Sequence, residues 1–238
     1  MIDVDSVYQK VLALSNKEQR GYITPQEFNL MADKAQREIF DNYFHDIKTA
    51  HQKPKTPESY SDEKDLAIEK LAPFRAATTV SVGTNGEFGA IPSNLYKIRD
   101  LNSNRKSLEY LDEDDFRRAL SHPLSSPTSD RRVFYLSSVN ATSGLPQIFI
   151  DPAPTVATDF TLTYFRTPNS PKWGYVVVNS KALYNNNTTH TTHFELHPSE
   201  EEILVARILQ LAGIIIMKPG IVEIGSKDKA NIKAEQNN

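Results

Sequence analysis

The spacing of hydrophobic positions changes twice along the chain and divides it into three segments. In residues 1–72, apolar side chains recur every three or four positions, which is the spacing of one face of an α-helix. In residues 73–196 they alternate with polar side chains, and β-branched and aromatic residues are frequent, as in half-buried strands. In residues 197–238 a segment that is apolar almost all round a helix precedes a polar tail. The pattern predicts an α+β fold.

The first segment is predicted to be a pair of helices followed by an exposed loop. The first helix covers about residues 4–15. A second begins after Thr24, because a Thr hydroxyl, a proline at the next position and Glu27 three residues on form a capping box, and its apolar stripe continues to about residue 48. The stretch His51–Lys64 contains two prolines and few apolar residues, so we expect a linker or exposed loop there.

The middle segment is predicted to be an antiparallel β-sandwich or half-open barrel. Its strands follow one another without helices long enough for parallel crossovers, although a short helix is expected over Asp112–Leu120. Gly83–Gly86 has the composition of a hairpin turn. The candidate strands are Phe74–Val82, Ala90–Asp100, Ser107–Leu111, Arg132–Ser138, Gln147–Asp151, Asp159–Arg166, Tyr175–Val178 and His193–Leu196.

The last segment is predicted to be a buried helix with a polar tail. His197–Glu202 contains an S-x-x-E capping box with three acids at the positive end of the helix. The helix itself, Ile203–Met217, is apolar on nearly every side, so more than one neighbour must cover it. We expect it to pack on the β domain on one side and on another subunit on the other. Lys218–Gly220 should end it.

Composition narrows the classes of function. The net charge is −3, with 27 Lys and Arg against 30 Asp and Glu, which disfavours a protein that binds nucleic acid mainly through its overall charge. No cysteine is present, so disulfides, thiolate nucleophiles and cysteine metal sites are excluded. Acids stand near the N-terminus where a signal peptide is basic, and no run of 18 apolar residues occurs. We therefore expect a protein made in the cytoplasm that does not span a membrane.

Two patterns resemble metal sites, and neither is convincing. Asn16–Glu27 has the length of an EF-hand calcium loop, with Gly21 at position 6 and Glu27 at position 12. Arg20 stands at position 5, where a calcium ligand is needed and its guanidinium would repel the ion. His190, His193 and His197 are spaced as zinc ligands could be, but they lie on a Thr- and Asn-rich loop interrupted by a proline. We interpret these as a glycine turn before a capped helix and as solvated loop histidines, and we predict no metal and no cofactor.

Enzymatic chemistry has little support in the sequence. A hydrolase could use the histidine loop or the carboxylates of Asp112–Asp115, but consecutive acids at a helix start point in several directions. No nucleophile elbow and no phosphate-binding loop is present. Loss of activity on replacing His193 or Asp114 would be the mark of an enzyme. The aromatic residues near Pro168 and Pro171 could instead form a ligand platform, although core packing explains them as well; they are Tyr164, Phe165, Trp173 and Tyr175.

Four sequence blocks, in this order, resemble a family of tailed-phage virion proteins. They cover about two-thirds of the chain and touch all three segments: Asn16–Phe44, Ile91–Leu101, Thr161–Tyr175 and Phe194–Glu223. The family is common in phages of Bacteroidetes, including crAss-like phages, where its members are neck or head-to-tail connector ring proteins. The sequence departs from the family pattern at Asn185–Thr192, where a longer polar loop is inserted. None of the blocks is a catalytic signature.

The resemblance implies a non-enzymatic structural protein of the virion. It implies a homo-oligomeric ring of twelve copies in the neck that joins the portal protein to other neck or tail proteins, with genomic DNA passing through the lumen without sequence-specific binding. A ring requires contacts between unlike surfaces of identical neighbours. Candidate interface residues within or beside the recognisable blocks are Tyr22, Arg166, Trp173, Ile203, Leu204, Ile208 and Ile215. The alternative is a virion accessory module in which Trp173 and Tyr175 bind a host glycan or another tail protein.

Overall fold

A computed structural model shows an α+β protein whose chain divides into two compact units. The first unit combines both ends of the chain, Met1–Pro73 and Pro168–Asn238, and the second is Phe74–Thr167. The structure describes residues 1–17, 23–52, 59–82, 91–103, 106–122, 124, 126–139, 146–154 and 158–215. The predicted boundary at residue 196 differs from this division, because residues 168–196 belong with the two ends of the chain.

The described residues form five α-helices and nine strands. The helices are α1 (Val4–Lys17), α2 (Pro25–Gln52), α3 (Ser59–Leu71), α4 (Glu113–Ser121) and α5 (Glu201–Ile215). The strands are β1 (Arg75–Val82), β2 (Leu95–Ser103), β3 (Lys106–Ser107), β4 (Glu109–Tyr110), β5 (Val133–Val139), β6 (Pro146–Asp151), β7 (Thr158–Arg166), β8 (Tyr175–Val178) and β9 (Lys181–Tyr184). Short 3₁₀ helices precede β1 and α5. No described helix has the length and hydropathy needed to cross a lipid bilayer.

The capping box predicted at the start of α2 is confirmed. The Thr24 backbone N–H donates to Glu27 Oε2 at 2.9 Å, and the Glu27 N–H donates back to Thr24 Oγ1 at 3.3 Å. The backbone N–H of Thr24, and after it the Thr24 hydroxyl, which donates to Glu27 Oε2 at 2.8 Å, lower the pKa of Glu27. The predicted box before α5 is wrong. There the chain turns at the 3₁₀ helix Pro198–Glu200, and the His197 ring, rather than a serine, accepts the Ser199 N–H.

The two ends of the chain build one core in the first unit. The residues preceding α1 pair with the segment before α5 through a β-bridge between Ile2 and Phe194. Gln36 of α2, fully buried, donates to the Asn169 carbonyl at 2.7 Å and accepts the Glu195 N–H at 3.1 Å. The later part of the chain thus provides a hydrogen-bond partner for both the amide nitrogen and the amide oxygen of this buried side chain.

Helix α5 is the centre of that core. It packs against α1 and α2, which provide the apolar stripes that the sequence predicts. Its partners correct the expectation that it packs on the β domain. The buried side chains of α5 are Ile203, Leu204, Val205, Ala206, Ile208, Leu209, Leu211 and Ala212. Because the described part of the helix is covered within its own unit, it needs no neighbouring subunit to shield it.

The second unit is a β-sandwich of two sheets. One sheet has the strand order β1-β7-β2-β3 and the other β4-β5-β6. Val80, Phe160 and Leu162 of the first sheet share a core with Phe134 and Ile148 of the second. The strands are antiparallel as predicted, with one exception. β4 runs parallel to β5, pairing Glu109 with Val133, because α4 and the following loop form a crossover between these strands.

Three local predictions differ from the structure. His193–Leu196 is not a strand, since only the isolated bridge at Phe194 pairs. The predicted linker His51–Lys64 contains the start of α3 at Ser59, and residues 53–58 lie outside the described part of the chain. The predicted turn Gly83–Gly86 and the helix end at Lys218–Gly220 also lie outside it. β9, which the sequence analysis did not predict, completes a hairpin with β8.

Candidate functional site

The hairpin formed by β8 and β9 in the first unit is exposed or half-exposed along its whole length. Its two strands pair antiparallel from Tyr175–Tyr184 to Val178–Lys181. Asn179 and Ser180 make the turn, with φ angles of 50° and 61°. Two successive residues with positive φ form a type I′ turn, whose twist matches that of the flanking strands. The hairpin is therefore a regular, well-formed element that projects from the first unit.

The hairpin carries apolar side chains that water reaches. Val176 is 50% exposed, and Leu183, directly opposite it, is 52% exposed. Val177 and Val178 are 62% and 46% exposed. We call these four residues the hairpin surface. Because neighbouring residues of a strand point to opposite faces, both faces of the hairpin are apolar and exposed. A contiguous exposed apolar patch of this kind typically marks a protein interaction site.

The base of the hairpin is held rigidly by the single tryptophan of the chain. Trp173 stacks with both Tyr175 and Tyr184, with ring centroids 5.9 and 5.6 Å away and nearly parallel planes. Its Nε1 donates to Asp5 Oδ1 at 2.8 Å, and its backbone N–H donates to Asn29 Oδ1 at 2.7 Å. The hairpin is thus anchored to α1 and α2 by stacking and by hydrogen bonds.

The polar loop between β9 and residue 192 supports the hairpin from the other side. Thr191, buried, accepts the Gly174 N–H at 3.2 Å and donates from Oγ1 to the Asn185 carbonyl at 2.6 Å. A Cβ atom at Gly174 would lie 2.5 Å from Thr191 Oγ1 and 2.8 Å from the His190 carbonyl oxygen. Glycine is therefore required there by the close approach of the loop. The polar loop Asn185–Thr192 therefore has a structural role at the hairpin base.

An open cleft of about 580 Å³ runs beside β9. It is lined by Tyr8, Gln9 and Leu12 of α1, by Trp173, and by Ser180–Tyr184 of the turn and β9. Burial, with the charges of Asp3 and Asp5 after it, raises the pKa of Tyr184.

The structure locates most of the predicted interface residues in the core. Ile203, Leu204 and Ile208 are 8%, 0% and 0% exposed, and Trp173 is 3% exposed. Side chains that are almost completely buried cannot contact a neighbouring subunit, so these four residues stabilise the first unit. Arg166, at the end of β7 in the second unit, is partly buried.

Two further predicted interface residues are not covered by the description. Tyr22 lies outside the described residues. Ile215 ends α5, but its side chain lies outside the described part. The structure therefore brings only Trp173, among the predicted interface residues, close to the exposed hairpin.

The candidate metal and catalytic groups have structural partners. His193 Nδ1 lies 3.0 Å from Asp3 Oδ1, and the His197 ring caps the 3₁₀ helix before α5. In the carboxylate cluster, Glu113 pairs with Arg117 at 2.5 Å and Asp115 with Arg118 at 3.4 Å. Within the described ranges, no group of three or more potential ligands is arranged to hold a metal ion. The middle of the EF-hand-like segment, residues 18–22, lies outside those ranges.

A different signal could have located the site from the sequence. Tyr175–Val178 is followed by Asn179-Ser180 and by Lys181–Tyr184, and strands that flank a two-residue turn with Asn indicate a hairpin. The three consecutive valines have no charge among them, so neither face of that hairpin could be polar.

Comparison with known proteins adds no relative to this description. No protein-family model matches the chain, and no curated protein sequence matches it significantly. The function must therefore be inferred from the residues and from the geometry of the hairpin.

Proposed function

We propose that this chain is a non-enzymatic structural protein of a tailed-phage virion. In this proposal, twelve copies form a ring in the neck that connects the portal to the tail and surrounds the channel through which the DNA passes. Portal and other neck or tail proteins are its partners, and the protein is made in the cytoplasm of the bacterial host. The family resemblance of the four sequence blocks provides the specific identity, and the hairpin surface provides the physical reason to expect assembly.

The observation that carries the proposal is the apolar hairpin. A two-stranded sheet is at best marginally stable by itself in water, yet this one is anchored at its base and exposes Val176, Val177 and Val178. Anchoring an uncharged strand where water reaches it has no benefit for the fold of a solitary chain. It does provide a surface on which another protein can bury apolar area.

The chemistry of the polar clusters agrees with a structural role. His197 caps the 3₁₀ helix before α5 and His193 pairs with Asp3, while Glu113 and Asp115 of α4 each pair with an arginine about one turn away. Asp115 lines an open cleft with His122, but its carboxylate is paired there with Arg118. Their positions support a protein whose side chains hold it together rather than transform a substrate.

A binding module for a host glycan or another tail protein is the second candidate. The cleft beside β9 favours it, because tyrosine and tryptophan rings line it together with Gln9 and Lys181. Against it, the Trp173 ring is 3% exposed and has Tyr8, Tyr175 and Tyr184 packed against it, so it has little surface on which a sugar could stack. The ring hypothesis uses the exposed valines, which the glycan hypothesis leaves unexplained.

Sizing of the purified protein tests the proposal. Light scattering and negative-stain images, alone and with the portal protein, should show a ring of high mass. Leu183→Glu should reduce ring formation, because it places a charge in the hairpin surface. The matched control Leu30→Glu places the same charge on an exposed leucine of α2, outside the hairpin, and should leave ring formation unchanged. A strictly monomeric protein that ignores the portal would refute the proposal. Quenching of Trp173 fluorescence by glycans at micromolar concentrations would favour the binding module.

A further inference from the structure

The two edges of the hairpin are open for pairing. Among the described residues, β8 and β9 pair only with each other, and no backbone hydrogen bond from outside the hairpin reaches Val177 or Ala182. The Asn185 N–H donates to the Gly174 carbonyl, so Gly174 and Asn185 form a hydrogen-bonded pair. In an antiparallel ladder, hydrogen-bonded and non-hydrogen-bonded pairs alternate up to the turn. Val177 and Ala182 form a non-hydrogen-bonded pair. Their N–H and C=O groups therefore point outward, away from the partner strand.

Neither edge is protected against pairing. Proteins usually protect an exposed edge with a charge, a proline, a bulge or a covering segment. Tyr175–Val178 has no charge and no proline, and its register with β9 is regular. The single charge of the hairpin is Lys181, next to the turn. An anchored, uncharged strand with a free edge is a template for a further strand.

We propose that the β8 edge of one copy pairs with the β9 edge of the next copy, which joins the hairpins into a continuous β-belt around the ring. This inference rests on the proposed ring. A cyclic ring needs two different surfaces that fit each other, and the two edges of one hairpin are such surfaces. Because β8 beside a neighbour's β9 repeats the antiparallel order found within the hairpin, every copy can pair in the same way.

The open cleft leaves β9 accessible to a neighbouring strand. Its lining includes Ser180–Tyr184 together with Tyr8 and Leu12 of α1. β8 of a neighbour carries valines and brings no charge that would have to be desolvated beside these residues.

Charge permits the pairing of copies, and area limits what the hairpin can hold alone. Lys181 would recur every two strands, at a spacing of about 10 Å, which exceeds the Debye length of about 8 Å at physiological salt, so repulsion along the belt is weak. The hairpin surface exposes an apolar area of the order of 300 Å², whereas each partner in a stable dimer buries about 800 Å². In the proposed ring, other surfaces of each copy must therefore contact the neighbour as well, and the hairpins add to that contact.

Substitutions at Val177 separate the belt from other modes of assembly. Val177→Pro removes one outward N–H donor and none of the hydrogen bonds within the hairpin, and edge positions of this kind tolerate proline. Val177→Thr keeps the donor and the branched shape and is the matched control. Val177→Lys keeps the backbone and places a charge on the edge. Ring mass is measured by native mass spectrometry and light scattering, and Trp173 emission reports whether the hairpin base stays intact.

We expect wild type and Val177→Thr to form rings, and Val177→Pro and Val177→Lys to need at least tenfold higher concentration for the same assembly. If all four proteins assemble alike, the belt is refuted while the ring remains. If the wild type forms no ring, alone or with the portal, the proposed function fails and the belt with it. If Trp173 emission shows that Val177→Pro disrupts the hairpin, the result for Val177→Lys decides.

Discussion

A buried ion pair in the first unit offers a sharp test of how its helices are held together. Lys70 Nζ of α3 lies 2.6 Å from Glu200 Oε1, just before α5, and the two side chains are 10% and 4% exposed. The two atoms are at ion-pair distance, but their geometry is not that of a hydrogen bond. At 2.6 Å and an effective dielectric constant of 20, the attraction is about 6 kcal/mol before desolvation, which costs several kcal/mol for each ion. The net contribution of the pair to the free energy of unfolding is thus close to zero, but burying either charge without the other would be costly.

We expect Lys70→Met to lower the free energy of unfolding of the first unit by about 3 kcal/mol, because Glu200 is left buried without its partner. The lower end of the usual range is expected because Tyr43 lies close by. Its hydroxyl has no hydrogen-bond partner among the described residues and can donate to the orphaned carboxylate. The double variant Lys70→Met with Glu200→Gln should recover most of the loss, because no buried charge remains.

Urea unfolding followed by Trp173 fluorescence measures the effect, since the single tryptophan lies in the same unit. Lys10→Met is the matched control. Lys10 pairs with Glu201 at 2.8 Å, but its side chain is 49% exposed, so the loss should stay below about 1 kcal/mol. If Lys70→Met cost no more than Lys10→Met, the pair would not be buried in the way described and the reasoning would be refuted.

Three further substitutions follow from the packing and titration of the first unit. Ile208→Asp should cost roughly 3 kcal/mol or more in urea unfolding because Ile208 has no exposed surface; an unchanged midpoint would remove α5 from the core. Gly174→Ala should loosen the hairpin base and change Trp173 emission, because the added Cβ would collide with Thr191 Oγ1, and unchanged emission would contradict the close approach. Tyr43→Phe should stabilise the protein at pH 7 by about 1 kcal/mol, because it removes a buried hydroxyl without a partner. Burial, and then the charge of Glu200, raises the pKa of Tyr43, so the folded state holds a proton that the unfolded chain loses above about pH 10. Wild-type stability should therefore fall more steeply above pH 10 than that of the variant, and parallel urea midpoints from pH 9 to 11 would contradict this.

Local signals in the sequence predicted the elements that depend on neighbouring residues. The Thr24–Glu27 box starts α2 because its hydrogen bonds are made within four residues. The predicted strands Arg132–Ser138 and Asp159–Arg166 differ from β5 and β7 by one residue at most ends, because their alternation is long and regular. α3 was missed because prolines precede its start at Ser59 and few apolar residues mark its first turn.

Long-range closure could not be predicted from these patterns. The apolar surface of α5 is correctly identified from its sequence, but hydrophobic spacing does not say which surface covers it. In the structure, α1 and α2 cover it, although α1 ends about 180 residues and α2 about 150 residues before α5 begins. The same limit applies to the site. The sequence analysis named Trp173 as an interface residue, but Trp173 is buried and the exposed residues are the nearby Val176–Val178. Trp173 stacks with Tyr184 of β9, and this contact between separate elements could not be read from the local sequence.

The division of the chain has a consequence for its synthesis. The N-terminal helices leave the ribosome with their apolar faces uncovered, and their partners from residue 168 onward follow only after the whole of Phe74–Thr167 has been translated. At bacterial elongation rates that interval is of the order of 10 s, which is ample time for the inserted β-unit to complete its own fold first. During it, α1 and α2 are candidates for chaperone binding, and a product stalled or truncated in the inserted unit would expose their apolar faces, which α5 otherwise covers. Translation speed through the inserted unit is therefore a determinant of yield.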